Sequence, residues 1–110
     1  MDSVTQYRTI VQTLLSDYSD RRSTDEIESQ PNFDLQRDHY QVVNVGWENN
    51  RRVYGCVLHL DIKNNKIWVQ YNGTEIDIAQ ELVDRGVPNS DIVLGFQPSY
   101  RRPLTDYAVS

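Results

Sequence analysis

Residues 38–71 read DHYQVVNVGWENNRRVYGCVLHLDIKNNKIWVQY. β-Branched and aromatic residues fill this stretch, and two Asn-Asn pairs, Asn49-Asn50 and Asn64-Asn65, interrupt it. Asparagine tolerates the positive φ that both central positions of a two-residue hairpin turn require, so each pair marks a tight turn between antiparallel strands. The pattern predicts a meander with strands at about 39–48, 51–63 and 66–71. Counting outward from the first turn, Glu48 faces Arg51, Val43 faces Cys56 and Asp38 faces Asp61. Around the second, Lys63 faces Lys66.

With this register one face carries Val43, Val45, Trp47, Tyr54, Cys56, Leu58, Leu60, Ile62, Ile67, Val69 and Tyr71, an apolar set suited to cover by helices. The other carries Tyr40, Val42, Asn44, Val53, Val57, His59, Asp61, Trp68 and Gln70, a mixture of aromatic, β-branched and polar groups more like an interface than a catalytic pocket.

The flanks supply the cover. Residues 3–18 place Val4, Tyr7, Ile10, Val11, Leu14, Leu15 and Tyr18 at helical spacing, and Ser3 followed by Gln6 has the spacing of a capping box at the helix start. The polar run SDRRSTDEIESQ then reads as a loop, and Pro31 restricts any strand in PNFDLQ to a sheet edge or a strand beginning. After the meander, GTEIDIAQELVDRGVP reads as a second helix capped by Thr74 and stopped by Gly86 before Pro88, with Ile76, Ala79, Leu82 and Val83 as its buried stripe. DIVLGF at 91–96 is a short final strand, and prolines at 98 and 103 keep the tail extended. The expected architecture is a single α+β domain over residues 1–110: N-terminal helix, antiparallel β-meander, second helix, short final strand and extended C-terminal tail.

Composition narrows the function. A chain of 110 residues with 38% hydrophobic and 25% charged residues is that of a globular protein. No apolar run approaches the roughly 20 residues of a membrane span, and the N-terminus lacks a signal-peptide pattern, so a cytoplasmic protein is expected. Sixteen acidic residues against eleven basic give a net charge of -5, which opposes general attraction to a phosphate backbone. Three pairs, Arg21-Arg22, Arg51-Arg52 and Arg101-Arg102, leave direct DNA binding as an alternative, although strand neighbours such as Arg51 and Arg52 point to opposite faces.

The stretch from Cys56 to Asp61 holds the residue types of reactive centres. Three positions apart on a strand, Cys56 and His59 would face opposite sides and form no thiolate-imidazole dyad, which leaves Cys56 as a small buried hydrophobe. His59, Asp61 and Asp38 share a face in this register, but they match no familiar ligand spacing. No glycine-rich phosphate loop, HExxH or GxSxG is present. The chain is therefore expected to be no enzyme and to need no cofactor or stoichiometric metal; a small enzyme or metal protein using His59, Asp61 and Asp38 is the alternative. Trp68, with Tyr40, Val42, Val57 and His59 around it, is the candidate partner-binding patch, followed by Tyr100, Arg101 and Arg102 in the tail.

The motifs VGW, RVYGC, HLDI, KIWVQ and DIVLGF occur in order with little gap variation. In this the chain resembles the XisI-like family of cyanobacteria, the fdxN element excision controlling factor proteins, from the first helix to the last residues. The resemblance implies an accessory role in excision of a DNA element during heterocyst differentiation, beside a recombinase and an XisH-like companion protein. It supplies no catalytic residues. It implies contact with the companion; the apolar Trp68 face allows a homodimer in its absence, and the acidic balance leaves contact with DNA indirect.

Overall fold

The computed structural model describes residues 2–110. Helix α1 (Ser3–Arg22) leads into β1 (Ile27–Asp34), β2 (His39–Glu48), β3 (Arg51–Lys63) and β4 (Lys66–Asn72), followed by helix α2 (Ile78–Asp84) and β5 (Ile92–Leu94). The strands form one sheet in sequence order. The first four are antiparallel, and β5 runs parallel to β4. This is an α+β fold.

Both asparagine turns form as the sequence predicts. Asn49 and Asn50 have φ of 50° and 63°, and Asn64 and Asn65 have 54° and 63°, the left-handed pair of a two-residue hairpin. Pro31 sits in β1, the edge strand, where its missing N–H breaks no ladder on the outer side.

The polar run after α1 is not one loop. The helix continues to Arg22, and β1 begins at Ile27, so only a short connection remains. Side chains tie it: Ser23 Oγ accepts from Ser29 N at 2.9 Å, and Thr24 Oγ1 accepts from Ile27 N at 3.0 Å. Both caps also differ from expectation. Asp2 caps α1 by accepting from Thr5 N at 2.9 Å, and Asp77 caps α2 by accepting from Gln80 N at 3.1 Å. A carboxylate at either place satisfies a free N–H and complements the helix dipole. Thr74 instead belongs to a turn around Asn72, whose Oδ1 accepts from Thr74 N at 2.9 Å while its Nδ2 donates to Ile76 O at 2.7 Å. Gly86, at φ 105°, ends α2 as predicted.

One face of the sheet is covered. Tyr7, Val11, Leu14 and Leu15 of α1 and Ile78, Ala79 and Leu82 of α2 pack on Tyr40, Val42, Leu58, Leu60, Ile62, Ile67 and Val69. The Tyr7 hydroxyl donates to the Asp91 carboxylate, fastening α1 to the start of β5. The tail is not simply extended: Arg102–Leu104 form a 3-10 turn, and Ala108 bridges Val93, its N–H donating to Ile92 O at 2.8 Å.

Candidate functional site: the outer face of the sheet

Two bulges decide what the outer face carries. Val43 lies opposite Cys56, but Val42 lies opposite Leu58, so Val57 has no partner on β2. Leu60 lies opposite Val69 and His59 opposite Tyr71, so Gln70 has none on β3. Each extra residue shifts register by one and reverses which side chains point inward beyond it.

The expected faces are therefore re-sorted. Tyr40 and Val42 are fully buried beneath the helices and present nothing to a partner. Val43, Val45, Trp47, Tyr54 and Cys56, expected in the core, lie on the outer side. Asp38 does not face Asp61. It sits at φ 59° in the β1–β2 turn, takes a two-point ion pair from Arg8 at 2.8 and 3.1 Å, and accepts from Tyr40 OH at 2.8 Å.

The outer face is a grid whose rows run across the strands. One row reads Asp34, His39, Asp61, Trp68, and the next Asn32, Gln41, His59, Tyr71. Gln30, Val43 and Cys56 follow, then Glu28, Val45 and Tyr54, with Trp47 beside Arg52 at the far end. One end is polar, the other aromatic.

At the polar end Asp61 Oδ1 receives two imidazoles, His39 Nδ1 at 2.8 Å and His59 Nε2 at 2.8 Å. Its Oδ2 accepts from Gln70 Nε2 at 3.1 Å, and the Gln41 amide nitrogen is 3.4 Å from His59 Nδ1. Burial alone would raise the Asp61 carboxyl, but the hydrogen bonds from His39 and His59, with help from Gln70, outweigh it and hold the group below its ordinary range. His39 is the member that regular counting misses. The available signal was the pair of adjacent apolar runs, Val42-Val43 and Cys56-Val57-Leu58, which satisfy neither strand parity and fit a bulge.

Cys56 and His59 share this face, contrary to strict alternation, because Val57 lies between them as the bulge. Burial pushes the Cys56 thiol up, and its S–H donates to Leu58 O at 3.1 Å, so it sits as a protonated, half-buried group.

Trp68 is on the outer side but only 8% exposed. Lys63 Nζ lies 4.1 Å from its ring centroid and the Arg102 guanidinium 5.2 Å, so the tail folds over the ring. Arg102 Nε also donates to Gln97 O at 3.1 Å. Tyr100 and Arg101, beside it, are exposed. At the aromatic end Trp47 and Tyr54 are 56% and 73% exposed, and Tyr71, in the row of His59, is 51% exposed. In each arginine pair one member is engaged within the chain: Arg22 with Glu75, Arg52 over the Trp47 ring, and Arg102 over Trp68. No helix among the described residues is long and apolar enough to cross a membrane.

Similarity to known proteins follows the same architecture. No curated protein matches the chain. A crystal structure of a XisI-like protein from Anabaena variabilis is 47% identical, with a TM-score of 0.90 over 96% of this chain and 98% of its own. A second, the fdxN element excision controlling factor XisI from the same organism, is 34% identical, with a TM-score of 0.85 over 99% of this chain and 100% of its own. Residues 1–109 match the XisI protein family, and with these two structural relatives the chain belongs to that family.

Proposed function

We propose that the chain is a non-catalytic accessory factor in excision of a DNA element, and that it works in the cytoplasm by gripping another protein with the outer face of its sheet. The relative described as an excision controlling factor supplies the process. The observation that carries the mechanism is the exposure of Trp47, Tyr54 and Tyr71 on rigid strands. Large aromatic side chains anchor protein interfaces, and anchors already fixed on a sheet lose little freedom on binding.

An XisH-like companion is the partner this reading favours, with a second copy of the chain on the same surface in its absence. Around the anchors, His59 extends the surface toward the polar end, and Tyr100 and Arg101 extend it along the tail; Val57, the bulge residue, packs against the core and lies behind the surface, not on it. Trp68 supports that surface from beneath by holding Arg102. DNA is reached through the partner, consistent with a net charge of -5 and with arginines already engaged inside the chain.

Pull-down of the companion, with light scattering on the same samples, tests this. Trp47→Asp and Tyr54→Asp should each weaken association about 30-fold, the equivalent of a 2 kcal/mol anchor, without changing the melting temperature by more than a few degrees. Companion binding and mass unchanged in both variants would sink the reading.

A further inference from the structure

We propose that His39, His59 and Asp61 form a binding site for one divalent transition-metal ion of the zinc type on the polar end of the outer face. The sequence offered only a cluster of His59 and Asp61 with Asp38, set aside because it matches no familiar ligand spacing; the fold does not assemble that cluster, and His39 takes the place of Asp38. This inference does not depend on the partner-binding role.

The donor atoms already converge. One ligand atom from each of the three residues lies within 4.8 Å of the other two. Both imidazole nitrogens sit 2.8 Å from the same carboxylate oxygen. Tetrahedral ligands about 2.0 Å from an ion stand roughly 3.3 Å apart, so accepting one requires these contacts to open by about half an ångström. The His39 side chain is 52% exposed and free to make that adjustment.

The surroundings do what the outer partners of metal ligands do. Gln70 holds Asp61 Oδ2 and thereby aims Oδ1 at the imidazoles. For His59 Nε2 to ligate, its proton must sit on Nδ1, and the Gln41 amide at that nitrogen accepts it once turned over, a rotation that exchanges its oxygen and nitrogen. His39 and Asp61 face each other on paired strands, and His59 is two residues from Asp61 on the same strand and face, so the backbone fixes all three.

The donor set selects the ion. Two imidazoles and one carboxylate suit zinc, nickel, copper or ferrous iron, whereas magnesium and calcium favour oxygen ligands. Remaining coordination positions open onto the groove that Asn32 and Asp34 line with His39, Gln41 and His59. Asp34 itself is occupied, accepting from the backbone of Gln36 and Arg37 and from the Arg37 side chain, and is not counted as a ligand. Water or a donor from a bound protein completes the shell.

Calorimetric titration of Zn2+ alone into the full chain, free of any affinity tag, at about pH 7.5, tests the site. One ion per chain with micromolar or tighter affinity is the expected result. His39→Ala, at an exposed position, should weaken binding at least tenfold with the metal-free melting temperature within a few degrees of the parent's, and the near-isosteric Asp61→Asn should weaken binding as much, with a lower metal-free melting temperature because the carboxylate's bonds to His39, His59 and Gln70 are altered. Gln70→Ala should weaken it by roughly tenfold through loss of the carboxylate's support. No saturable heat in the parent chain would overturn the proposal, as would parental zinc affinity in both His39→Ala and Asp61→Asn.

Discussion

His39 and Asp61 face each other across β2 and β3, with His39 Nδ1 2.8 Å from Asp61 Oδ1. Regular counting from the Asn49-Asn50 turn would put Asp38 there. The single unpaired residue Val57 moves every partner beyond it by one position, which brings the histidine to the carboxylate and sends Tyr40 and Val42 into the core.

Deleting Val57 should therefore cost more than any one core truncation. Without it, either the half of β3 beside the turn or the half carrying Leu58, Leu60 and Ile62 must present the wrong face. Leu60→Ala, at a fully buried site, should lose about 2–5 kcal/mol. Urea unfolding of the two variants makes the comparison, and a deletion as stable as the parent would contradict the role given to the bulge.

Asp38 should set part of the acid sensitivity. Hydrogen bonding and charge from Arg8 are the main cause holding its carboxyl below the usual range, with the Tyr40 hydroxyl adding to the effect and burial opposing it. A carboxyl depressed in the folded state stabilises fully above its unfolded value, near pH 3.9, and that contribution is lost as pH falls through the lower folded value. Asp38→Asn keeps a residue tolerant of the φ of 59° but removes the charge. It should lose about 1–2 kcal/mol at neutral pH, discounted for the partly exposed Arg8, and show a flatter fall of the urea midpoint as the pH drops below about 4. Parallel acid limbs for parent and variant would count against the assignment.

Gly46→Ala should destabilise the β1–β2 pair. A Cβ there would stand 2.1 Å from Glu26 O and 2.8 Å from Ile27 Cα, both backbone atoms that cannot rotate aside. A loss of about 1–3 kcal/mol in thermal or urea unfolding is expected from forced overpacking.

Arg102→Ala should uncover Trp68. The guanidinium leaves the ring face and the hydrogen bond to Gln97 O is lost, which frees the tail that keeps the indole 8% exposed. Measured in a Trp47→Phe background, so that Trp68 alone reports, fluorescence should shift to the red, with a stability loss of about 0.5–2 kcal/mol. An unshifted spectrum would mean that Lys63 and the strands suffice to bury the ring.

The turns and periods were legible because they are local. Paired asparagines tolerate positive φ wherever the chain puts them, the spacing of Tyr7, Val11, Leu14 and Leu15 makes a helical stripe without reference to anything else, and Pro31 excludes its strand from the sheet interior. Those features established the α+β class and the order of the elements other than β1, whose first half lay in the run read as a loop. The helix caps were less legible: Asp2 and Asp77 compete with nearby Ser3 and Thr74, whose side chains also suit the position, and a shift of one residue in the start of α1, or of three in the start of α2, selects between them.

The sequence by itself could not assign the faces of β2 and β3 beyond the bulge. Val42-Val43 and Cys56-Val57-Leu58 are apolar at both parities, so either register buries something. The choice falls to α1 and α2, distant along the chain, which cover one side and bury Tyr40, Val42, Leu58, Leu60 and Ile62 together. Register across a strand pair is a long-range property, decided by which face can be removed from water. The meeting of His39 with Asp61 follows from that packing, which is why only the tertiary structure could supply it.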